Sequence, residues 1–448
     1  MRKSIMIITA MLLGISSYAQ QRLTLMHSKS LALENNGKTK NSALEIDAAR
    51  ETKSEVYTKY FPKISASATG MQAIDPLLKM QIQGGNLPVY DGNPANLPTA
   101  NQFAYMPGTE LGLFNQVGLG YLNVLQPVYA GGKIKNGNKL ADLNLTVKEK
   151  QQKVVQNEIL LKTEREYWQI VALEEKQKSL DNYVKFLDTL YRQVSTAYQN
   201  GVIIRNDLLK VTIKQSELKV NQTQLTNGKK LALMQLCQTI GIPYDPTIRV
   251  ENELDNFSDP QTYFVSNENV MSTRAEYQLL ENSVEASHLL TKIAKSEYMP
   301  TLGVGLSGYY MNQFEKGQNG AFNGMLYATV SIPISDWWGG KHKLNEMEIR
   351  ENITINTLND SKGLLNLQME KAWTDLKETD EKITLIQETL EQANENLRVN
   401  QDSYRNGLIQ LSDLLEARAL KSDTEDKLTE AKTTYKTAVT NYLQVTGR

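Results

Sequence analysis

Ala197-Tyr198-Gln199-Asn200-Gly201, followed six residues on by Asp207-Leu208-Leu209, returns further down the chain as Ser403-Tyr404-Arg405-Asn406-Gly407 followed by Asp413-Leu414-Leu415. The offset is 206, and the same 206 joins Pro127 to Pro333, Tyr167 to Trp373 and Gly241 to Gly447. One offset held over so long a span marks an internal duplication, so the chain is read as two related halves. Earlier in each half, Tyr60-Phe61-Pro62 corresponds to Tyr298-Met299-Pro300 at 238, and Gly131-Gly132-Lys133 to Gly339-Gly340-Lys341 at 208. The difference of 30 places an insertion in the first half, within the Pro-, Gly- and Asn-rich residues 72–116, which are read as a loop.

Each quoted turn interrupts a long helical pattern. In the second half Met369, Ala372, Leu376, Thr379, Ile383, Ile386, Leu390, Ala393, Leu397, Asn400 and Tyr404 alternate spacings of three and four. That is a heptad seam. The first half keeps it as Ile170, Leu173, Gln177, Leu180, Val184, Leu187, Tyr191, Val194 and Tyr198. A helix from Lys133 to Gln199 has 67 residues and runs about 100 Å, three times the roughly 30 Å of a bilayer's hydrocarbon. Asn200-Gly201 supplies the left-handed residue that ends such a helix, Asp207 starts the return, and the return helices run to about Thr239 and Val445, the second with Leu428, Ala431, Tyr435, Ala438 and Tyr442 on one stripe.

Ahead of each hairpin the periodicity is shorter. Residues 24–60 read as helix, which Pro62 stops by disfavouring helical geometry at the residue before it. Alternating stretches follow at 63–71, 117–128, 301–311 and 324–334, each about the length of a tilted membrane strand. Pro243, Pro246 and Pro260 punctuate an irregular connector at 242–267. The expected organisation is therefore a first repeat at 20–241, the connector, and a second repeat at 268–448, each repeat being helix, two strands and a long helical hairpin.

Arg2 and Lys3, an apolar run at 5–15 and Ser17-Tyr18-Ala19 have the layout of a secretory signal peptide over residues 1–19, with the mature chain starting at Gln20. No cysteine follows that site to carry a lipid, and the sole Cys237 lies in a helical pattern as a small buried residue. The net charge of −1 offers no basic field for nucleic acid. No mature segment is apolar enough for a membrane helix, so a membrane-spanning part must be built from strands.

Over this whole mature length the chain resembles the TolC-like outer-membrane efflux family. The resemblance is carried by Leu23-Thr24-Leu25, Ala32-Leu33-Glu34-Asn35-Asn36, Ala48-Ala49-Arg50, Tyr60-Phe61-Pro62 and Arg274-Ala275-Glu276-Tyr277, with Ala275 where the family usually has proline. Tyr404, Gly407, Asp413 and Leu414 look like the tip of its second hairpin. Each motif is weak alone; their order and duplication make the match. The resemblance implies a mostly α fold with a small β part: a homotrimer whose four strands per chain close a 12-stranded transmembrane β-barrel in outer-membrane lipid, continued by a long α-helical periplasmic barrel. It also implies a passive exit duct in the outer membrane of a Gram-negative bacterium, met by a periplasmic adaptor (membrane fusion) protein and an inner-membrane pump of a tripartite efflux or type I secretion system, with no enzyme activity and no cofactor.

His27, His288 and His342 are too scattered for a ligand set, and one cysteine does not make a zinc site. Gly303-Val304-Gly305-Leu306-Ser307-Gly308 has the form of a dinucleotide fingerprint, but Tyr309-Tyr310 follow instead of a helix, so small residues alternating along a strand explain it better. Met71, Met80 and Met106 are read as scattered loop methionines. Tyr129, Tyr309, Tyr310, Trp337 and Trp338 lie at strand ends and are candidates for the membrane interface, or for packing at the barrel-to-helix junction. A periplasmic adaptor would carry one hairpin between β-domains rather than two, and a secreted coiled-coil structural protein would lack amphipathic strand pairs.

Two surfaces are expected to be functional. Both helical arms must leave on the periplasmic side, which makes 72–116 and 312–323 extracellular loops and the turns at 199–207 and 405–413 the points farthest from the membrane. Gly201, Val202, Ile203, Asp207, Gly407, Leu408 and Ile409 are the candidate adaptor-docking tips; ordinary turn packing is the other reading. Asp413 and Glu416, three apart on one helix face, match the acidic rings at which TolC-like channels narrow, and Tyr404 matches too, so these three form the candidate periplasmic gate. Asp413-x-x-Glu416 is also the spacing of a capping box with Asp as the cap. The first hairpin has Asp207 with Lys210, repeating the cap residue and not the second carboxylate. The family's closing arginine falls on Ile409, leaving Arg205 or Arg405 to substitute.

Overall fold

The computed structural model describes residues 22–313 and 319–448. The signal segment 1–19 and the centre of the second expected loop fall outside the described residues. In chain order the elements are β1 (Arg22–Leu23), α1 (Leu25–Asn35), α2 (Gly37–Tyr57), β2 (Lys63–Gln72), β3 (Leu78–Ile82), β4 (Gly85–Pro88), β5 (Phe103–Met106), β6 (Thr109–Leu113), β7 (Gln116–Ala130), α3 (Lys133–Gln199), α4 (Arg205–Ile240), β8 (Arg249–Val250), α5 (Ala275–Ser296), β9 (Thr301–Gln313), β10 (Ala321–Ser331), α6 (Trp337–Arg405) and α7 (Leu411–Val445). They divide into two compact units, one of residues up to 51 with 142–286 and 352–448, the other of 52–141 and 287–351. Each unit draws on both sequence halves. Among the described residues no helix is long and apolar enough to cross a membrane.

In the first unit the heptad seams do the packing. Met369, Ala372, Leu376, Ile383, Ala393 and Leu397 are all buried, as is the return stripe at Ala431, Tyr435 and Tyr442. In the first-half seam Ile170, Leu180, Leu187 and Val194 are buried, but the alternate seam position is shifted by one residue: Tyr191 and Tyr198 stay exposed while Tyr183 and Leu190 fill the core. One core joins α1, α3, α4 and β8, a second joins α6, α7 and Met271, just past the connector, and a third ties α3 and α4 to α6 and α7 near the turns. Glu164 is buried yet satisfied, bonded by Lys29 Nζ at 2.5 Å, Trp168 Nε1 at 3.1 Å and Thr440 Oγ1 at 2.6 Å, so one carboxylate pins α1, α3 and α7 together.

The helix expected over 24–60 is broken at Asn36, whose backbone is extended at ψ 134°. Its side chain explains the break: Nδ2 donates to the Thr239 carbonyl at 2.8 Å and Oδ1 accepts from Lys38 N–H at 2.8 Å. Cys237 is buried, as expected.

The second unit is a four-stranded, wholly antiparallel sheet in the order β10-β9-β7-β2. β10 starts three residues before the expected 324 and ends at Ser331, ahead of Pro333. Strand alternation sorts the faces. One carries Ile64, Leu122, Val124, Leu302, Val304, Leu306, Leu326 and Val330; the other is mainly polar, with Ser65, Ser67, Thr69, Tyr121, Asn123, Ser307, Tyr309, Asn323, Tyr327 and Thr329 beside Leu119, Leu125, Met311 and Met325. The apolar face is open, with Leu306 55% and Leu326 76% exposed. On the polar face Tyr327 reaches across β9 to donate to Asn123 Oδ1 at 2.7 Å. Only glycine at 305 leaves room, since a Cβ there would lie 2.2 Å from the Tyr327 ring. The glycine fingerprint is thus a strand that lets aromatic rings lie across it.

The insertion corrects the loop expected at 72–116. It is folded: β3 pairs with β6 and β4 with β5, both antiparallel, and Ala73 N–H donates to Asn115 O at 2.8 Å between these ladders and the main sheet. The Pro and Gly residues sit mainly at the irregular joints rather than throughout.

Candidate functional site

The two hairpin turns are built alike. Gly201 and Gly407 take φ of 72° and 71°, Gly201 N–H bonds Tyr198 O and Val202 N–H bonds Ala197 O, and Gly407 and Leu408 bond Tyr404 O and Ser403 O in the same way. This pair of bonds closes a helix when the residue after its cap is left-handed, which favours glycine. The chain then re-enters helix at Arg205 and Leu411, with Ile204 and Gln410 as N-caps. Asp207 therefore lies inside the first turn of the return and does not begin it.

The structure gathers part of the expected tip set around one cleft of about 730 Å³, lined by Val202, Ile203, Asp207 and Lys210 from one turn and Tyr404, Gly407, Ile409 and Leu411 from the other. The four apolar tip residues are not equally free. Val202 and Leu408 are exposed at 74% and 76%, whereas Ile203, which packs on the third core, and Ile409 are half-buried. Gly201 and Leu408 stand outside the cleft.

Tyr404 also packs on that core. Burial first, and then the charge of Asp207, push its phenol above the usual range, so it stays a protonated hydrogen-bond donor at any physiological pH. The structure thus sets Tyr404 beside the first hairpin's carboxylate. Asp207 itself lies 3.4 Å from Lys210 Nζ.

Asp413 and Glu416 share an exposed face of α7. The capping reading is corrected in detail: the cap is Gln410, and Asp413 is the third helical residue, its Oδ2 accepting from Gln410 N–H at 3.2 Å while the Gln410 side chain accepts from Asp413 N–H. A carboxylate so used complements the helix N-terminus, and Glu416 has no part in it. Of the two substitute arginines, Arg405 lies 3.9 Å from Asp402 and is largely exposed, and Arg205 is exposed.

Sequence reasoning missed Arg418. It is 5% exposed in the third core, with its guanidinium carbon 4.8 Å from the Tyr183 ring centre and 5.9 Å from that of Phe186. Nη1 has no hydrogen-bond partner. The available signal was its place in the stripe Leu411, Leu414, Leu415, Ala417, Arg418, where every neighbour is buried.

The aromatic candidates separate by face. Tyr310 lies with Leu306 on the apolar side, and a bulge between Pro127 and Tyr129 turns Tyr129 to the Leu302 side; proline has no N–H for the ladder and so favours such a bulge. Tyr309 is corrected: alternation puts it on the polar face, its hydroxyl accepting from Asn323 Nδ2 at 3.1 Å. Trp337 and Trp338 are not at a strand end but in the first turn of α6, where Trp337 Nε1 donates to Tyr298 O at 2.8 Å. Among the described residues no cluster of His, Cys, Asp and Glu is arranged to hold a metal. His288 instead pairs with Glu351 at 3.0 Å.

Residues 272–448 match the family model described as outer membrane efflux protein. No curated protein sequence matches the chain. Among solved structures, the CmeC outer membrane channel of Campylobacter jejuni aligns with a TM-score of 0.75 at 15% identity, covering 94% of this chain and 85% of that one. The outer membrane protein VceC of Vibrio cholerae gives 0.72 at 13%, covering 94% and 96%, and the open-state MtrE outer membrane channel of Neisseria gonorrhoeae gives 0.72 at 15%, covering 94% and 88%. The second half of the chain is thus similar to the outer membrane efflux protein family, and nearly the whole chain has the fold of these outer-membrane channels.

Proposed function

We propose that three copies of this chain form the exit duct of a tripartite efflux or type I secretion system in the outer membrane of a Gram-negative bacterium, conducting passively what an inner-membrane pump and a periplasmic adaptor deliver. The observation that carries it is the four-stranded sheet with one open apolar face, one polar face and two unpaired edges, β2 and β10. In lipid an unpaired edge costs several kcal/mol per backbone group, and three such sheets joined edge to edge make 12 strands with polar residues inside and no edge left. Tyr129 and Tyr310 supply girdles: Leu302 and Tyr310 are eight residues apart on β9, roughly 27 Å along a strand and about 20 Å in height at a 40° tilt, near the expected apolar band.

The helices support the same assembly. Leu209, Ile213, Val220 and Leu231 form an exposed stripe on one face of α4, and Ile349, Ile353, Leu364, Leu367 and Leu385 form another on α6. Such stripes are seams awaiting partner helices. The two repeats, 20–241 and 268–448 around the connector, would then alternate around the duct.

At the periplasmic end the cleft between the turns, with Val202 and Leu408 projecting, is the surface we assign to the adaptor, and Tyr404, Asp413 and Glu416 the gate. Three-fold symmetry sets six carboxylates around the mouth. Like charges about 7 Å apart in water repel by only about 0.6 kcal/mol, so the rings tune ion preference rather than block the pore. The test is reconstitution in planar bilayers. Wild type is expected to conduct as a cation-preferring channel, and Asp413→Asn with Glu416→Gln to lose that preference and its block by multivalent cations. A double mutant with unchanged selectivity removes the gate; no channel at all removes the duct.

A further inference from the structure

The insertion in the first half carries an anomaly that a conducting duct does not require. In the β3–β6 ladder Leu78, Met80 and Ile82 share one face with Thr109, Leu111 and Leu113. That face is uncovered, with Leu78, Met80 and Leu111 each between 44% and 51% exposed. The other face holds the charge: Lys79 Nζ lies 3.8 Å from Glu110 Oε1 and 4.0 Å from Asp75 Oδ1. A two-stranded ribbon with its apolar face uncovered is marginal in water, and a contiguous exposed apolar face marks a contact surface.

We propose that this apolar face is a self-association surface, packing against the same ribbon of neighbouring copies and narrowing the outer mouth of the duct. The inference rests on the trimeric channel reading above. Its occupant is argued from continuity and from charge. The ribbon grows directly out of β2, the sheet edge on which the next copy must sit for the barrel to close, so closure brings three ribbons into one ring. The apolar face bears no ionisable group, so identical faces meet without repulsion. An anionic lipid surface fits poorly, because the insertion at 72–116 has Asp75, Asp91 and Glu110 against a single Lys79, and binding to such surfaces relies on clustered Lys and Arg.

The test is cysteine cross-linking of the full chain in intact outer membranes, in a Cys237→Ala background. Leu111→Cys and Met80→Cys, made singly, are each expected to give covalent dimers on mild oxidation, seen on boiled non-reducing gels, while Lys79→Cys on the charged face gives none. Unboiled gels report the trimer independently. A trimer without cross-links at 80 or 111, or with equal cross-linking at 79, overturns the inference and leaves the channel reading standing; no trimer overturns both. Leu111→Asp should raise single-channel conductance without altering assembly, and unchanged conductance overturns the narrowing.

Discussion

Arg418 permits a calculation whose sign is not obvious. Its charge is buried to 5% exposure among Tyr183, Phe186 and leucines of both hairpins, with Nη1 unpartnered. Desolvation lowers its pKa, opposed mainly by the charge of Glu425. Two ring contacts return about 0.5–2 kcal/mol each, the Phe186 contact at 5.9 Å being near the limit of range. Burying a charge costs several kcal/mol even after relaxation. The cost wins. Arg418→Met keeps the stem's volume and offers sulfur–ring contacts of about 0.3–1.5 kcal/mol, while Glu425 keeps its bond from Ser179 Oγ at 2.6 Å. The expected result is stabilisation of the helical unit by about 1–3 kcal/mol, measured as a higher urea midpoint of the far-UV helical signal in detergent. Arg418→Ala should fall below Arg418→Met, since it leaves a cavity. A loss of more than about 1 kcal/mol in the methionine variant would mean that the guanidinium is satisfied, and would refute the reasoning.

In the sheet, Gly305→Ala should push the Tyr327 ring off Asn123, costing about 1 kcal/mol for the hydrogen bond and lowering the temperature at which the trimer dissociates on gels; Gly70→Ala, whose Cβ would meet nothing within 4 Å, is the control and should change little. Burial raises the pKa of Asp426, with Lys176 opposing, so the folded state binds the proton more tightly than the unfolded. The stability this gives is present below the unfolded carboxylate value and is lost as pH rises through the raised one. Asp426→Asn should therefore be more stable than the parent at neutral pH, with the gap in urea midpoint closing on acidification to about pH 4; a gap independent of pH would show that the carboxyl is not the cause.

Much of the architecture was legible because its causes act between near neighbours. The heptad seam fixes which face of α6 is buried from Met369 to Leu397, and the Asn-Gly pairs end both long helices through bonds spanning five residues. A proline that forbids helix, and a left-handed position that favours glycine, have the same effect wherever they stand in the chain.

What needed the tertiary structure is whatever depends on a partner far away in sequence. Asn36 breaks a helix because of Thr239, some 200 residues on. Residues 72–116 look like loop until Leu78 finds Leu113 and Gly85 finds Met106, since a ladder's stability lies in cross-strand pairs that composition does not record. Tyr309 and Tyr310 are adjacent in sequence yet fall on opposite faces, and Tyr129 changes side at a single bulge. Arg418 looks like a surface residue of a helix until Tyr183 and Phe186 close over it. Periodicity determined the elements and their ends; register and inter-helix packing, which arise only when distant segments meet, decided what each side chain faces.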